Sequence, residues 1–243
     1  MTAKDALRAP LPKRFYKDVS IAPHDEGFAI LLDGRPVRTP AKRQLVLGVE
    51  ALAEAVAAEW EAQGERIDPA AMPLTRLANT ALDAVADKME GVASDIAAFA
   101  ASDLLCYRAE APEALVRRQA DAWDPLLAWA KSALGADLAV RSGLMPIEQP
   151  PQAIASVRRA LDRLDALSLA ATHVLTTLTG SAILALAHVE GRLSLEEAWS
   201  AATVDERWQS EQWGRDAEAE EKAAQRLAEA TAAARCLRLL RSR

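Results

Sequence analysis

Three histidines, two cysteines and a scatter of carboxylates are the groups in this 243-residue chain that could do chemistry. His173 and His188 flank an expected break at Gly180 in an uncharged stretch, residues 166–189, and could face each other across it. A metal or small-molecule site is what such a pair would support. Neither has a cysteine or carboxylate at ligand spacing, His188 having only Glu190 nearby, so satisfied core histidines are the plainer reading. His24 falls in an expected turn and reads as a surface residue. Asp103 and Arg108 bracket "LLCY" and could supply an acid and its partner, but a helix end with a solvated pair explains them as well. "TGS" at 179–181 resembles a phosphate-cradling fragment, and a helix break accounts for it equally. There is no G-x-S-x-G, Walker loop, G-x-G-x-x-G or H-E-x-x-H. The sequence therefore points to no enzyme, with no catalytic residue, no cofactor and no metal.

A second group is chemically unusual without being catalytic. The run "TVDERWQSEQWGRDAEAEEK", residues 203–222, sets two tryptophans in a strongly acidic segment. On a helix, Glu206, Gln209 and Trp213 share one face with Ala217, while Trp208, Glu211, Gln212 and Arg215 lie on the adjacent side. The two indoles stand about 140° apart at 100° per residue, so one can face the core while the other points elsewhere. Ser194-x-x-Glu197 is a capping box, and Thr203-x-x-Glu206 reads as a second, giving Glu206 a plain local role. The second box would open a helix running to about Leu239, on the order of 50 Å long at 1.5 Å per residue. Its end turns apolar and basic, with Arg235, Arg238, Arg241 and Arg243, as suits a helix C-terminus.

The elements that must position these residues follow from period and punctuation. The first fifty residues hold short β-prone runs, "RFYKDVSIA", "FAILLDGRPVRTP" and "QLVLG", with "HDEG" and Asp33-Gly34 as hairpin turns. Pro36 and Pro40 confine that ribbon to sheet edges or strand starts. Leu52, Val56 and Trp60 then recur at i, i+4, i+8, with Gly64 as a stop, so Trp60 reads as a structural anchor of a helix on the sheet, with Glu59 and Glu61 solvated. From Leu74 onward the pattern is helical throughout, including a stripe of Leu115, Gln119 and Trp123 interrupted by Pro125. The expected fold is α+β: a small N-terminal antiparallel β domain with one packed helix over residues 1–73 (strands 14–48, helix 49–63), then a larger all-α domain, 74–243, with a long C-terminal helix.

Charge and cysteine usage exclude some partners. Lys+Arg 29 against Asp+Glu 35 leaves a net charge of −6, which argues against nucleic acid as the main partner. Cys106 and Cys236 form no disulfide framework or zinc site, so a reducing compartment is expected. The N-terminus lacks the apolar core of a secretory signal. The 166–189 stretch is long enough to span a bilayer, yet it carries many hydroxyls and two histidines, so a buried helical hairpin is favoured over peripheral membrane contact.

Taken together and in order, "RFYKDVSI", "LLDGRPVRTP", "AAEWEAQ", "MPLTRLANTALD", "SDLLCYRA", "DPLLAWA", "TGSAILALA" and "VDERWQSEQWG" resemble the assembly chaperone family of the ATP synthase F(1) sector that binds the free α subunit, over roughly residues 13–222. The resemblance implies a small β-rich domain followed by a helical one, no enzymatic activity and no cofactor. It implies a placeholder that holds the unassembled α subunit, shields its β-facing surface until the hexamer forms, and is itself a monomer when free. The absent presequence suits a bacterial, cytoplasmic member; a eukaryotic one would sit in the mitochondrial matrix. In the family a glutamate of the C-terminal region matters for function, and its best match is Glu206 or Glu211. Trp213-Gly214 matches the family's Trp-Gly pair. The expected partner-binding residues are Asp205, Glu206, Gln209, Glu211, Trp213 and Glu218, with Trp60 and Trp208 as structural anchors; no nucleic-acid partner and no stable membrane insertion are expected.

Overall fold

The structure, a computed structural model, describes residues 11–143, 145–214 and 216–242. The leader reading over residues 1–10, and Arg215 and Arg243 of the C-terminal run, lie outside them. Two compact units emerge: one runs to Asp83 and takes in the chain end from Leu239, and the other is Ala84–Arg238. As the alternating runs and turn residues foretell, the chain opens with an antiparallel sheet and continues as helices.

In the first unit, β1 (Val19–His24) pairs antiparallel with β2 (Gly27–Leu32) from Val19↔Leu32 to His24↔Gly27. β3 (Arg35–Pro36) and β4 (Val46–Leu47) both pair with β2. Asp33 and Gly34, at φ 48° and 76°, make the tight turn between β2 and β3. Gly27, at φ 138°, cannot be replaced without collision, because a Cβ there would meet the Leu47 carbonyl. Pro36 stands on the edge strand, where a missing N–H costs nothing. Such a small sheet cannot bury its own apolar face, so α1 (Glu50–Glu61) covers it. Ile30, Leu45, Leu47, Leu52 and Val56 form the dry layer between them.

Glu59 departs from its expected solvated role. Its carboxylate accepts from the N–H groups of Leu74 and Thr75 and from the Thr75 hydroxyl, each at 2.8 Å. These are orphan donors at the start of α2 (Pro73–Thr80), whose preceding residue makes no side-chain cap. A carboxylate reaching across from α1 does that job and also suits the positive end of the helix. Trp60 is half-buried and stacks edge-on against Tyr16, with centroids 5.8 Å apart, while the Tyr16 hydroxyl donates to the Trp60 carbonyl at 2.7 Å.

In the second unit, α3 (Met89–Ala101), α5 (Pro151–Leu161), α6 (Ala166–Thr179) and α7 (Ala182–Val189) supply the core. Ile96, Val157, Leu161, Leu169, Ile183 and Leu184 are fully buried there. Gly180 ends α6 in the left-handed conformation at φ 70°, and the Ser181 side chain caps α7. The whole run Ala182–Ala187 is buried, which explains its lack of charge: α7 is the centre of a protein core. No helix of the described residues is long and apolar enough to cross a membrane.

Asp103 and Arg108 are not a solvated pair. Asp103 is wholly buried between a short 3-10 turn (Leu104–Cys106) and the start of α7, accepting from Leu105 N at 3.1 Å and Ile183 N at 3.2 Å. Burial pushes its pKa up to about 6, against the Ser181 hydroxyl and backbone donors that favour the ionised form. Arg108 belongs to β5 (Tyr107–Arg108), which pairs in parallel with β6 (Arg141–Ser142). Arg108 is buried, 2.8 Å from an Asp124 carboxylate oxygen and stacked on Trp123. Both cysteines are free and buried.

Candidate protein interface

The acidic tryptophan run is carried by α9 (Val204–Trp213), which follows α8 (Leu195–Ala202) and rests on α4 (Glu113–Trp129). The expected single long helix is two helices. Gly214, at φ 87° and ψ 178°, adopts backbone open essentially only to glycine, and α10 (Ala217–Leu240) starts afresh beyond it. α9 is therefore about 15 Å long and α10 about 36 Å. The first capping box, Ser194 with Glu197, forms as expected. The second does not. Thr203 is the only residue between α8 and α9, and its hydroxyl turns back to the Trp199 carbonyl at 2.8 Å to finish α8. Glu206 is thereby free of capping and is available to another partner.

That partner is Arg226 of α10, whose guanidinium is 2.9 Å from the Glu206 carboxylate, 5.4 Å over the Trp199 ring and 2.9 Å from the Leu178 carbonyl. The opposite flank of α9 repeats the motif. Arg118 of α4 lies 2.8 Å from the Glu211 carboxylate and 4.9 Å over the half-buried Trp208 ring. The Arg118 hydrogen bond holds the Glu211 carboxyl below its usual range, and Glu211 in turn raises the Arg118 pKa. A third tie is buried. Gln119, 2% exposed, accepts from Ala109 N and donates to an Asp205 carboxylate oxygen, both at 2.8 Å.

Between these ties the surface is hollowed on both sides of one exposed aromatic. A cleft of about 590 Å³ lies between α4, β5 and α9, walled by Tyr107, Pro112, Leu115, Asp205, Trp208 and Trp213. A second, of about 490 Å³, lies between α9 and α10 and includes Glu206, Ser210, Trp213, Lys222 and Arg226. Gln209 and Trp213 line both clefts, and Trp213 is 79% exposed. α9 buries only Val204.

Six of the residues singled out in the sequence thus gather on or beside one helix: Asp205, Glu206, Trp208, Gln209, Glu211 and Trp213. Glu218 stands on α10 and pairs with Lys222 at 2.6 Å. Trp60 lies in the sheet unit. Sequence reading missed Arg118 and Arg226, which come from helices remote in the chain; Gln119 carried a signal, a polar residue on an apolar stripe. His188 is tied through Nδ1 to the Leu193 carbonyl at 3.0 Å, and no group of three or more His, Cys, Asp or Glu among the described residues could hold a metal ion.

The same architecture recurs in solved proteins. Atp12 of Paracoccus denitrificans is 47% identical, with a TM-score of 0.89 covering 94% of this chain and 98% of that one. The Atu1473 protein of Agrobacterium tumefaciens is 52% identical, with a TM-score of 0.91 covering 96% of this chain and 88% of that one. The mitochondrial protein atp12 of Schizosaccharomyces pombe is 25% identical over 224 residues, 87% of this chain and 77% of its own length. Fold and likeness together define a chaperone-class protein, which implies a non-enzymatic role. The chain belongs to the ATP12 chaperone protein family, whose match spans residues 13–131, from ahead of β1 to just past α4.

Proposed function

We propose that this chaperone, which serves assembly of the F(1) sector of ATP synthase, does so by holding the unassembled α subunit on the α9 face and shielding its β-facing surface until the hexamer forms. The observation that carries the reading is Trp213. It is a large aromatic, 79% exposed, set between two clefts on a helix rich in carboxylates. Exposed tryptophan with a polar rim is the composition of a binding hot spot, and a lone subunit of an obligate oligomer exposes the apolar area such a face would cover. Asp205, Glu206, Gln209 and Glu211 would supply the rim, and Glu218 its continuation on α10. Trp208, half-buried under Arg118, would stiffen the helix.

The test is co-expression with isolated α and isolated β subunits, followed by size-exclusion chromatography, with the free protein run alone as a monomer standard. Soluble α should co-elute with the chaperone and β should not. Trp213→Ala should weaken co-elution about tenfold or more while leaving the melting temperature unchanged, because the side chain makes little contact in the free protein. If α is no more soluble with the chaperone than without it, the reading is wrong.

A further inference from the structure

The acids assigned to recognition are already occupied, and by the same device twice. On one flank of α9 Arg118 pairs with Glu211 and lies over Trp208; on the other Arg226 pairs with Glu206 and lies over Trp199. Glu206 and Glu211 are five residues apart, about 7–8 Å along the helix and on opposite flanks. The two arginines come from different helices, α4 and α10, which excludes a repeat of local sequence as the cause.

We propose that Arg118 and Arg226 are autoinhibitory occupants of the α9 face, standing where arginines of an incoming protein segment will stand. The inference rests on the reading of α9 as the recognition helix, and it names the chemistry of what is recognised: an arginine-bearing segment with apolar neighbours. A guanidinium suits both counts, since its Nη1 bonds the carboxylate while its flat face lies over an indole, a pose a compact ammonium does not offer. The apolar neighbours would enter the clefts that flank Trp213. The exchange is feasible because both pairs are half exposed: side-chain exposures are 46% and 50% for Arg118 and Glu211, and 37% and 53% for Arg226 and Glu206. Exposed pairs of this kind each contribute roughly two- to fivefold to an equilibrium. Displacing Arg118 also uncovers the Trp208 ring, so one exchange opens an acid and an aromatic face together. Binding by exchange is self-limiting, because the internal arginine always competes for return.

A fastener and an autoinhibitor predict opposite results when the arginine is removed. The probe is a synthetic twelve-residue peptide of alternating Arg and Leu, with a Lys-and-Leu peptide for comparison, and binding is followed by tryptophan fluorescence at fixed salt. The variant Arg118→Gln/Arg226→Gln should bind the arginine peptide about four- to twentyfold more tightly than wild type, and the lysine peptide with a smaller gain. Arg117→Gln/Arg159→Gln removes the same charge without touching α9 and should give a smaller gain, which corrects for net charge. Adding Glu211→Gln should remove one of the two contributions, about two- to fivefold, and leave the one at Glu206. If the clamp variant binds the arginine peptide no better than the charge-matched control, or more weakly, the proposal is overturned. Co-elution of wild type with the isolated α subunit judges the other reading separately: its failure would leave a peptide gain standing.

Discussion

Gln119→Glu is the smallest change that sets α9 against its own neighbour. Gln119 is almost wholly buried, holding the Ala109 N–H with its carbonyl and an Asp205 carboxylate oxygen with its amide, both at 2.8 Å. The substitution keeps the acceptor and reverses the donor, so two carboxylates face each other across a hydrogen-bond distance. Two like charges about 4 Å apart repel by roughly 4 kcal/mol at an effective dielectric constant near 20. Asp205 is half-buried and α9 can draw back, which leaves about 2 kcal/mol, or roughly 4–8 °C of melting temperature for a chain of this size. The new carboxyl is pushed above its unfolded value by burial and by Asp205. The folded state then binds more protons than the unfolded one, so the loss is largest at pH 7 and shrinks as pH falls towards 4. Asp205→Asn supplies the missing donor and should restore most of the loss in the double variant, a coupling of about 2 kcal/mol. Circular-dichroism melts across pH, with amide exchange of residues 204–213, measure both. A coupling near zero, or an equal loss at pH 4 and pH 7, would refute the account of Gln119 as the buried tie of α9.

Glu59→Gln should lower stability by roughly 1 kcal/mol, since it weakens a cap that holds three donors of α2; urea denaturation of the variant against Thr75→Ala checks it, and an unchanged midpoint would return Glu59 to solvent. Asp103 should make stability depend on pH in the opposite sense to an ion-paired aspartate. Its folded pKa, about 6, is raised from 3.8, so its favourable contribution is complete below about pH 4 and is lost as pH rises through 6. Asp103→Asn should flatten that fall, and an identical pH profile in variant and wild type would contradict it.

How much of this was legible beforehand divides along the range of the interactions. The sheet unit, the Asp33-Gly34 turn, the helix on the sheet, the break at Gly180 and the Ser194 capping box are written in residues close together in sequence. Propensity and period read them directly. Two of the failures share one cause, a partner from another part of the chain. Glu59 looked solvated because its donors lie fifteen and sixteen positions away. Asp103 looked like a surface acid because the α7 backbone that receives it is eighty positions away. The Thr203 box failed for a local reason: as the residue that closes α8, Thr203 stands at φ −108° and ψ 21°, away from the extended backbone of an N-cap, and its hydroxyl is aimed back at the Trp199 carbonyl instead of accepting from the first turn of α9. Gly214 interrupts the expected long helix for a local reason too, since a glycine in an otherwise continuous helical pattern lets the backbone leave the helix. At the candidate interface, pattern placed the acids and tryptophans on one helix, but nothing local indicates that Arg118 and Arg226 reach Glu211 and Glu206 across 93 and 20 positions.

The distribution of burial bears on how such a face can work. α7 lies almost entirely inside its unit, so nothing bound at the surface moves it without unfolding the core. α9 is the reverse case. It buries Val204 alone and is retained by one buried amide and two half-exposed ion pairs, with Gly214 separating it from α10. In the proposed exchange each ion pair would be traded for an equivalent pair with an incoming protein at little net cost, while the Gln119 tie keeps the first turn of α9 in register. A contact assembled this way has an affinity limited by its own internal competitors. That limit would suit the proposed placeholder role, because a subunit held by optimised, fully buried contacts could not be surrendered to its permanent neighbour on the timescale of assembly.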